Sequence, residues 1–127
     1  MADGIARAGF DIDLRDGQAR EDALVHVFLK DKVEHKYDGK ARSTGNLFVE
    51  YSQKGKPSGL ATTTADYWAF EYDDNCWLIV PTERLKAVAS QAYKAGKRKK
   101  GGDGDQYEGV LVPIEWLVRP WKAVDDK

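Results

Sequence analysis

Two neighbouring stretches of strictly alternating side chains, residues 32–38 and 46–53, constrain the fold of this chain more than any other feature. Each stretch sends its more apolar side chains to one face; the other face carries Glu34, Lys36 and Asp38 in the first and Phe48, Glu50 and Ser52 in the second. A period of two residues predicts β-strands. The polar, glycine-containing connection between them predicts that the two strands form a hairpin.

The remaining pattern predicts helices and further strands around this pair. Apolar residues at helical spacing predict a helix at 18–29, and Pro81-Thr82 at the start and Gly96 at the end predict another at 83–95. Other patterns predict strands at 10–14, 67–72, 76–80 and 110–112. Residues 97–105 are basic and then rich in glycine, which predicts a mobile loop. His35 and Cys76 are predicted to be buried. We therefore expect a single domain over residues 1–127, of mixed α/β (α+β) class, with one mixed sheet flanked by helices.

The composition excludes several classes of protein. The chain has 127 residues, one cysteine and two histidines, so it can form neither an internal disulfide nor a closed zinc site of soft ligands. A bound metal would therefore be held by oxygen ligands, which favours magnesium or manganese. No apolar run is long enough to cross a membrane and no secretory signal is visible, so we expect a cytoplasmic protein without a membrane partner.

Three carboxylates form a candidate metal site in the predicted arrangement. Asp38 and Glu50 lie on strands predicted to be neighbours, and Glu21 is spaced to lie along the apolar stripe of the first helix. Clustered carboxylates repel one another unless a cation lies between them, and such a cation can assist phosphodiester hydrolysis. Lys36, on the face of Asp38, is the candidate amine. The alternative is a solvated sheet face with charges paired across strands.

Several segments in fixed order resemble a phage-associated group of the PD-(D/E)xK nuclease superfamily. The segments are EHKYD at 34–38, TGNLFVE at 44–50, GKPSGL at 55–60, TADYW at 64–68, GGD at 101–103 and LVP at 111–113. The resemblance covers about residues 13 to 117. It implies a restriction-endonuclease-like αβββαβ core and a magnesium-dependent DNA endonuclease whose metal ligands are Glu21, Asp38 and Glu50. Branched or junction DNA is one substrate class that the resemblance suggests.

The resemblance has one departure at the catalytic lysine. The superfamily usually places a lysine two residues after the strand glutamate, whereas position 52 here is serine. Lys36 is then the expected catalytic amine, with Lys54 as the reserve. The same departure leaves open a catalytically inactive module that binds DNA or serves in assembly. The resemblance also points to a phage or prophage protein in a bacterial host, and to a homodimer by analogy with junction-resolving relatives.

Two basic segments are predicted to contact DNA phosphates. The expected nucleic-acid-binding residues are Lys54, Lys56, Ser58, Lys97, Arg98, Lys99 and Lys100. The basic residues at 97–100 follow a predicted helix end, where the helix dipole favours cations. Stabilisation of that helix end is therefore the alternative explanation for these residues.

Overall fold

The structure is a computed structural model that describes the backbone of residues 4–119 and the side chains of residues 16–119. The chain divides into two compact units, Met1–Lys32 and Val33–Lys127. The second unit contains both sheets and three of the helices. The class is therefore mixed α/β, as the sequence predicts. No helix in the described part of the chain is long and apolar enough to span a membrane.

The first unit contains one helix, α1 (Gly4–Leu29). The strand predicted at 10–14 is therefore wrong: an alternation of five residues is too short to prevent those residues from joining the helix that follows. Farther along, the Gln18 amide nitrogen donates to Asp22 Oδ1 at 3.0 Å, a contact between side chains one helical turn apart. Along the apolar stripe of this helix, Leu24, Val25, Phe28 and Leu29 are all more than half exposed, and Val27 is the buried residue among the side chains that the structure describes in this unit.

Two short 3-10 helices, Gly59–Ala61 and Asp103–Asp105, lie in the described part of the second unit beside seven strands and three α-helices. In chain order the strands and α-helices are β1 (Val33–Tyr37), α2 (Ala41–Thr44), β2 (Asn46–Gln53), β3 (Lys56–Pro57), β4 (Tyr67–Asp73), β5 (Cys76–Pro81), α3 (Thr82–Lys94), β6 (Arg98–Gly101), β7 (Tyr107–Pro113) and α4 (Ile114–Val118). The predicted hairpin of 67–80 and the predicted helix near 83–95 are confirmed as β4–β5 and α3.

The strands form two sheets rather than the single mixed sheet predicted. One has the order β1-β4-β5 and the other β3-β2-β7-β6. The predicted β1–β2 hairpin is also wrong, because the short helix α2 separates the two strands; β1 instead pairs in parallel with β4, and β2 pairs antiparallel with β7. The partners of β1 and β2 both lie far along the chain. Alternation shows which residues share a face of a strand, but it does not show which distant strand will pair with it.

A single core lies between the sheets and α3. The alternation predicted for β2 is confirmed, since Leu47 and Val49 are fully buried while Phe48 and Glu50 on the opposite face are partly exposed. The largest other core side chains are Trp68, Phe70, Leu85, Val88 and Val112. The core positions the outer face of β2, which carries the acidic residue Glu50.

Three local predictions fail in the second unit. The basic segment predicted to be a mobile loop forms the edge strand β6, because its backbone pairs with β7. His35 is exposed, its Nε2 lying 3.2 Å from Glu71 Oε1 and accepting from the Trp77 indole at 3.3 Å. Cys76 is also exposed, at the start of β5. His35 lies on β1 and Cys76 on β5, the two outer strands of the β1-β4-β5 sheet.

Candidate active site

The second unit brings Lys36, Asp38 and Glu50 to one pocket. This pocket has a volume of about 280 Å³, and we call it the acidic pocket; it is also lined by Tyr37, Phe48, Gly59 and Trp68. The two acids come from different sheets, since Asp38 directly follows β1 and Glu50 lies within β2. The predicted neighbourhood of the two carboxylates is thus found, although the hairpin from which it was predicted does not form.

Asp38 connects the two sheets. Its backbone N–H donates to the carbonyl of Glu71 at 2.9 Å, which extends the pairing of β1 with β4 by one residue. Its side-chain Oδ2 accepts from the backbone N–H of Phe48 at 2.8 Å. That N–H lies on the edge of β2 that faces away from β7, so the carboxylate satisfies a donor that no strand reaches. Within the described residues, Asp38 Oδ1 has no hydrogen-bond partner and is free to bind a ligand.

Glu50 is held by the loop that follows β2. The hydroxyl of Ser58 donates to Glu50 Oε2 at 2.6 Å, and the backbone N–H of Ser58 donates to the carbonyl of Tyr51 at 3.0 Å. Gly59 has a φ of +54°, and a Cβ there would lie 2.3 Å from the carbonyl oxygen of Glu50. Glycine is therefore required for this close approach. Ser58, predicted to contact DNA, is here the hydrogen-bond partner of Glu50 Oε2. The other carboxylate oxygen, Oε1, has no partner in the described part of the chain.

Lys36 reaches the acidic pocket, as predicted from its strand face. Its side chain is 49% exposed, and its ammonium lies 3.5 Å from Glu34 Oε2 and 5.8 Å from the centre of the Trp68 ring. Trp68 itself is only 2% exposed, and its indole N–H has no acceptor among the residues that the structure describes. Lys54, the reserve amine, lies exposed in the β2–β3 turn with a φ of +52°.

The pair Asp38 and Glu50 suits a hard divalent cation. Across residues 16–119, no three His, Cys, Asp or Glu side chains are grouped as a metal site. Magnesium, however, is commonly held by one or two carboxylates together with water and substrate phosphate. Each acid has one oxygen fixed by the protein and one without a partner, so the donor set fits. Glu21 is exposed in α1 and belongs to the other unit, so its part in the site stays a prediction.

A second pocket shares Asp38 and Phe48 with the first. We call it the flanking pocket; it has a volume of about 350 Å³, and its other lining residues include Lys40, Thr44, Asn46, Lys99 and Leu111. No binding role was predicted from the sequence for Lys40, Thr44 or Asn46. They lie in or beside the turn formed by α2, so that the connection predicted to be a hairpin loop becomes one wall of a cavity.

The basic residues at 97–100 do not all point the same way. Lys99 lines the flanking pocket. Its neighbour Arg98 lies over the ring of Tyr93 at 4.9 Å, and Lys97 lies over the ring of Trp116 at 5.6 Å. Arg98 and Lys99 are neighbours within β6 and therefore point to opposite faces, whereas Lys97 lies before the strand. Lys54 and Lys56 are exposed at the opposite end of β2.

Comparisons with protein-family models, curated proteins and solved structures found no match to this chain.

Proposed function

We propose that this protein is a magnesium- or manganese-dependent DNA endonuclease with a restriction-endonuclease-like core. The observation that carries the proposal is the acidic pocket, where Lys36, Asp38 and Glu50 meet although they come from two different sheets. Two oriented carboxylates beside an ammonium are the groups expected for hydrolysis of a phosphodiester. The resemblance implies Asp38 and Glu50 as metal ligands together with Glu21, and Lys36 takes the place of the lysine missing at position 52.

Each residue has a distinct task in this proposal. Asp38 and Glu50 would hold the cation. A divalent cation there would supply Lewis-acid assistance to attack by water and offset the charge that builds on the phosphate. The Lys36 ammonium stabilises negative charge on the phosphate in the transition state, and the Trp68 ring beneath it restricts where the ammonium lies. Ser58 and Phe48 orient the two carboxylates through their hydrogen bonds.

A plasmid-nicking assay tests the proposal. Wild-type protein should nick plasmid with magnesium or manganese and lose this activity with chelator. Asp38→Asn and Glu50→Gln should each abolish nicking while leaving the fold intact, because each removes a charged ligand at almost constant volume. Asp74→Asn, an exposed turn residue, is the matched control and should remain active. Normal turnover in either pocket variant would remove that residue from the site.

The second candidate function is a DNA-binding or assembly module that has lost turnover. Two observations favour it: position 52 is serine, and the Lys36 ammonium is engaged with Glu34 at 3.5 Å. In this case DNA would bind in the presence of chelator, while no metal would produce nicks. Binding without nicking over a range of magnesium and manganese concentrations would select this function over the first.

A further inference from the structure

The flanking pocket has an apolar wall that is held in place by a glycine. Phe48 and Leu111 face each other across the β2–β7 pair, and both line the pocket. The Phe48 ring extends over Gly109, where a Cβ would lie 2.6 Å from the Phe48 Cζ atom. Only a residue without a side chain allows the ring to lie so close to β7. The aromatic surface is thus fixed before any ligand arrives.

Polar groups surround this apolar wall. The Asn46 amide nitrogen donates to the carbonyl of Thr44 at 3.3 Å, which leaves the amide oxygen of Asn46 as an acceptor. Lys40 and Lys99 supply two ammonium groups, and neither forms an ion pair with any carboxylate in the described part of the chain. Among the same lining residues, only Asp38 carries negative charge, and it is shared with the acidic pocket.

We propose that the flanking pocket binds one unpaired nucleotide of the DNA, next to the phosphate that is cleaved; this inference rests on the endonuclease function proposed above. The base lies against Phe48 and Leu111, the Asn46 amide meets its polar edge, and Lys40 and Lys99 contact the phosphates beside it. The chain of the DNA then passes Asp38, the residue that both pockets share. The preferred substrate class is DNA with an unpaired nucleotide, as in a bulge or a flap.

The size and chemistry of the pocket favour this class over continuous duplex. A volume of about 350 Å³ lies at the lower end of small-molecule sites and suits a single nucleotide. A base in a duplex is stacked and paired, so it must leave the stack before it can contact an aromatic side chain. An unpaired base has no pairing to lose, and stacking on an aromatic ring is a general means of binding such bases.

Gly101 allows the pocket to be filled without changing a charge or a metal ligand. It lines the flanking pocket, and a Cβ built on it meets no atom within 4 Å. Its position two residues after Lys99 places a new side chain on the same face of β6. Gly101→Leu should therefore occupy the pocket, whereas Gly101→Ala should occupy much less of it and have a smaller effect.

The test measures binding in chelator, so that cleavage plays no part. Fluorescence anisotropy compares two labelled oligonucleotides: a continuous duplex and the same duplex with one unpaired nucleotide. Wild type should bind the second about tenfold more tightly. Gly101→Leu should lose this preference while keeping its affinity for the duplex and its unfolding midpoint. Lys99→Gln should weaken binding to both oligonucleotides and lower the salt dependence, while Lys86→Gln on α3 should not.

Equal binding of the two oligonucleotides by wild type, or a preference that survives in folded Gly101→Leu, overturns the inference. If Gly101→Leu does not fold, unchanged affinity and salt dependence in Lys99→Gln overturn it instead. The nicking assay decides the proposed function separately. A preference for the unpaired nucleotide without nicking would refute the endonuclease function and support nucleotide binding by the flanking pocket. Nicking without the preference would support the endonuclease function and refute nucleotide binding by the pocket.

Discussion

The contact between Gly59 and Glu50 allows a stability prediction with a matched control. Gly59→Ala places a methyl group 2.3 Å from the Glu50 carbonyl oxygen, whereas Cβ atoms in proteins keep at least 3.0 Å from such an atom. The loop must then retreat by more than half an ångström. Gly55, four residues earlier, also has a positive φ, of +77°, but a Cβ there meets nothing within 4 Å. Both substitutions therefore impose the strain of a positive φ on alanine, but only Gly59→Ala adds a clash with the Glu50 carbonyl oxygen.

The expected free energies follow from this difference. An alanine in the left-handed region costs about 1 kcal/mol, and this applies to both glycines. Overpacking against a rigid backbone atom adds about 1–3 kcal/mol at Gly59 only. Gly59→Ala should therefore lower the free energy of unfolding by about 2–4 kcal/mol and Gly55→Ala by about 1 kcal/mol.

Urea denaturation followed by tryptophan fluorescence measures both values. The slope with denaturant concentration should stay constant, so that the shift in midpoint reports stability alone. Nicking measured well below the unfolding transition should also fall in Gly59→Ala, because the retreating loop moves Ser58 away from Glu50. Equal destabilisation of the two variants would refute the close packing of the loop on β2. Normal nicking by a destabilised Gly59→Ala would show that Glu50 needs no support from this loop.

Three further predictions concern charge and metal. Lys36→Ala should slow nicking by about 10²-fold while Lys54→Ala stays active, and the opposite result would move the catalytic amine to the loop after β2. Millimolar magnesium should raise the melting temperature of wild type but not of Asp38→Asn, since a cation stabilises only a state that already groups the acids; an unchanged wild-type value would count against a preformed site. Partial burial and the nearby Glu108 raise the pKa of Tyr51, so its contribution to stability is complete below a pH of about 10 and is lost as the pH rises above that value. Tyr51→Phe should lose less stability than wild type between about pH 9 and about pH 11, and an equal alkaline loss in both would contradict this cause.

The sequence determined by itself which side chains of β2 face the core. Leu47 and Val49 are buried and Glu50 lies on the other face, as alternation predicted. Strand geometry is local: successive side chains point to opposite faces whichever strand lies alongside. The hairpin β4–β5 and the helix α3 were predicted for the same reason, because their turn and helix-start signals lie within a few residues of the elements they bound.

Only the tertiary structure decided the partners of β1 and β2. Asn46 pairs with Pro113, and Val33 pairs with Tyr67, at separations over which neither alternation nor turn residues act. These pairings produce the two sheets, and the Asp38 carboxylate that joins them accepts from the Phe48 backbone. The pairing of residues 98–101 with β7 likewise turns a basic segment into β6 and so directs Lys99 and Arg98 to opposite faces. Periodicity within a strand is determined by bond geometry, but the choice of partner depends on how all the apolar faces are buried together.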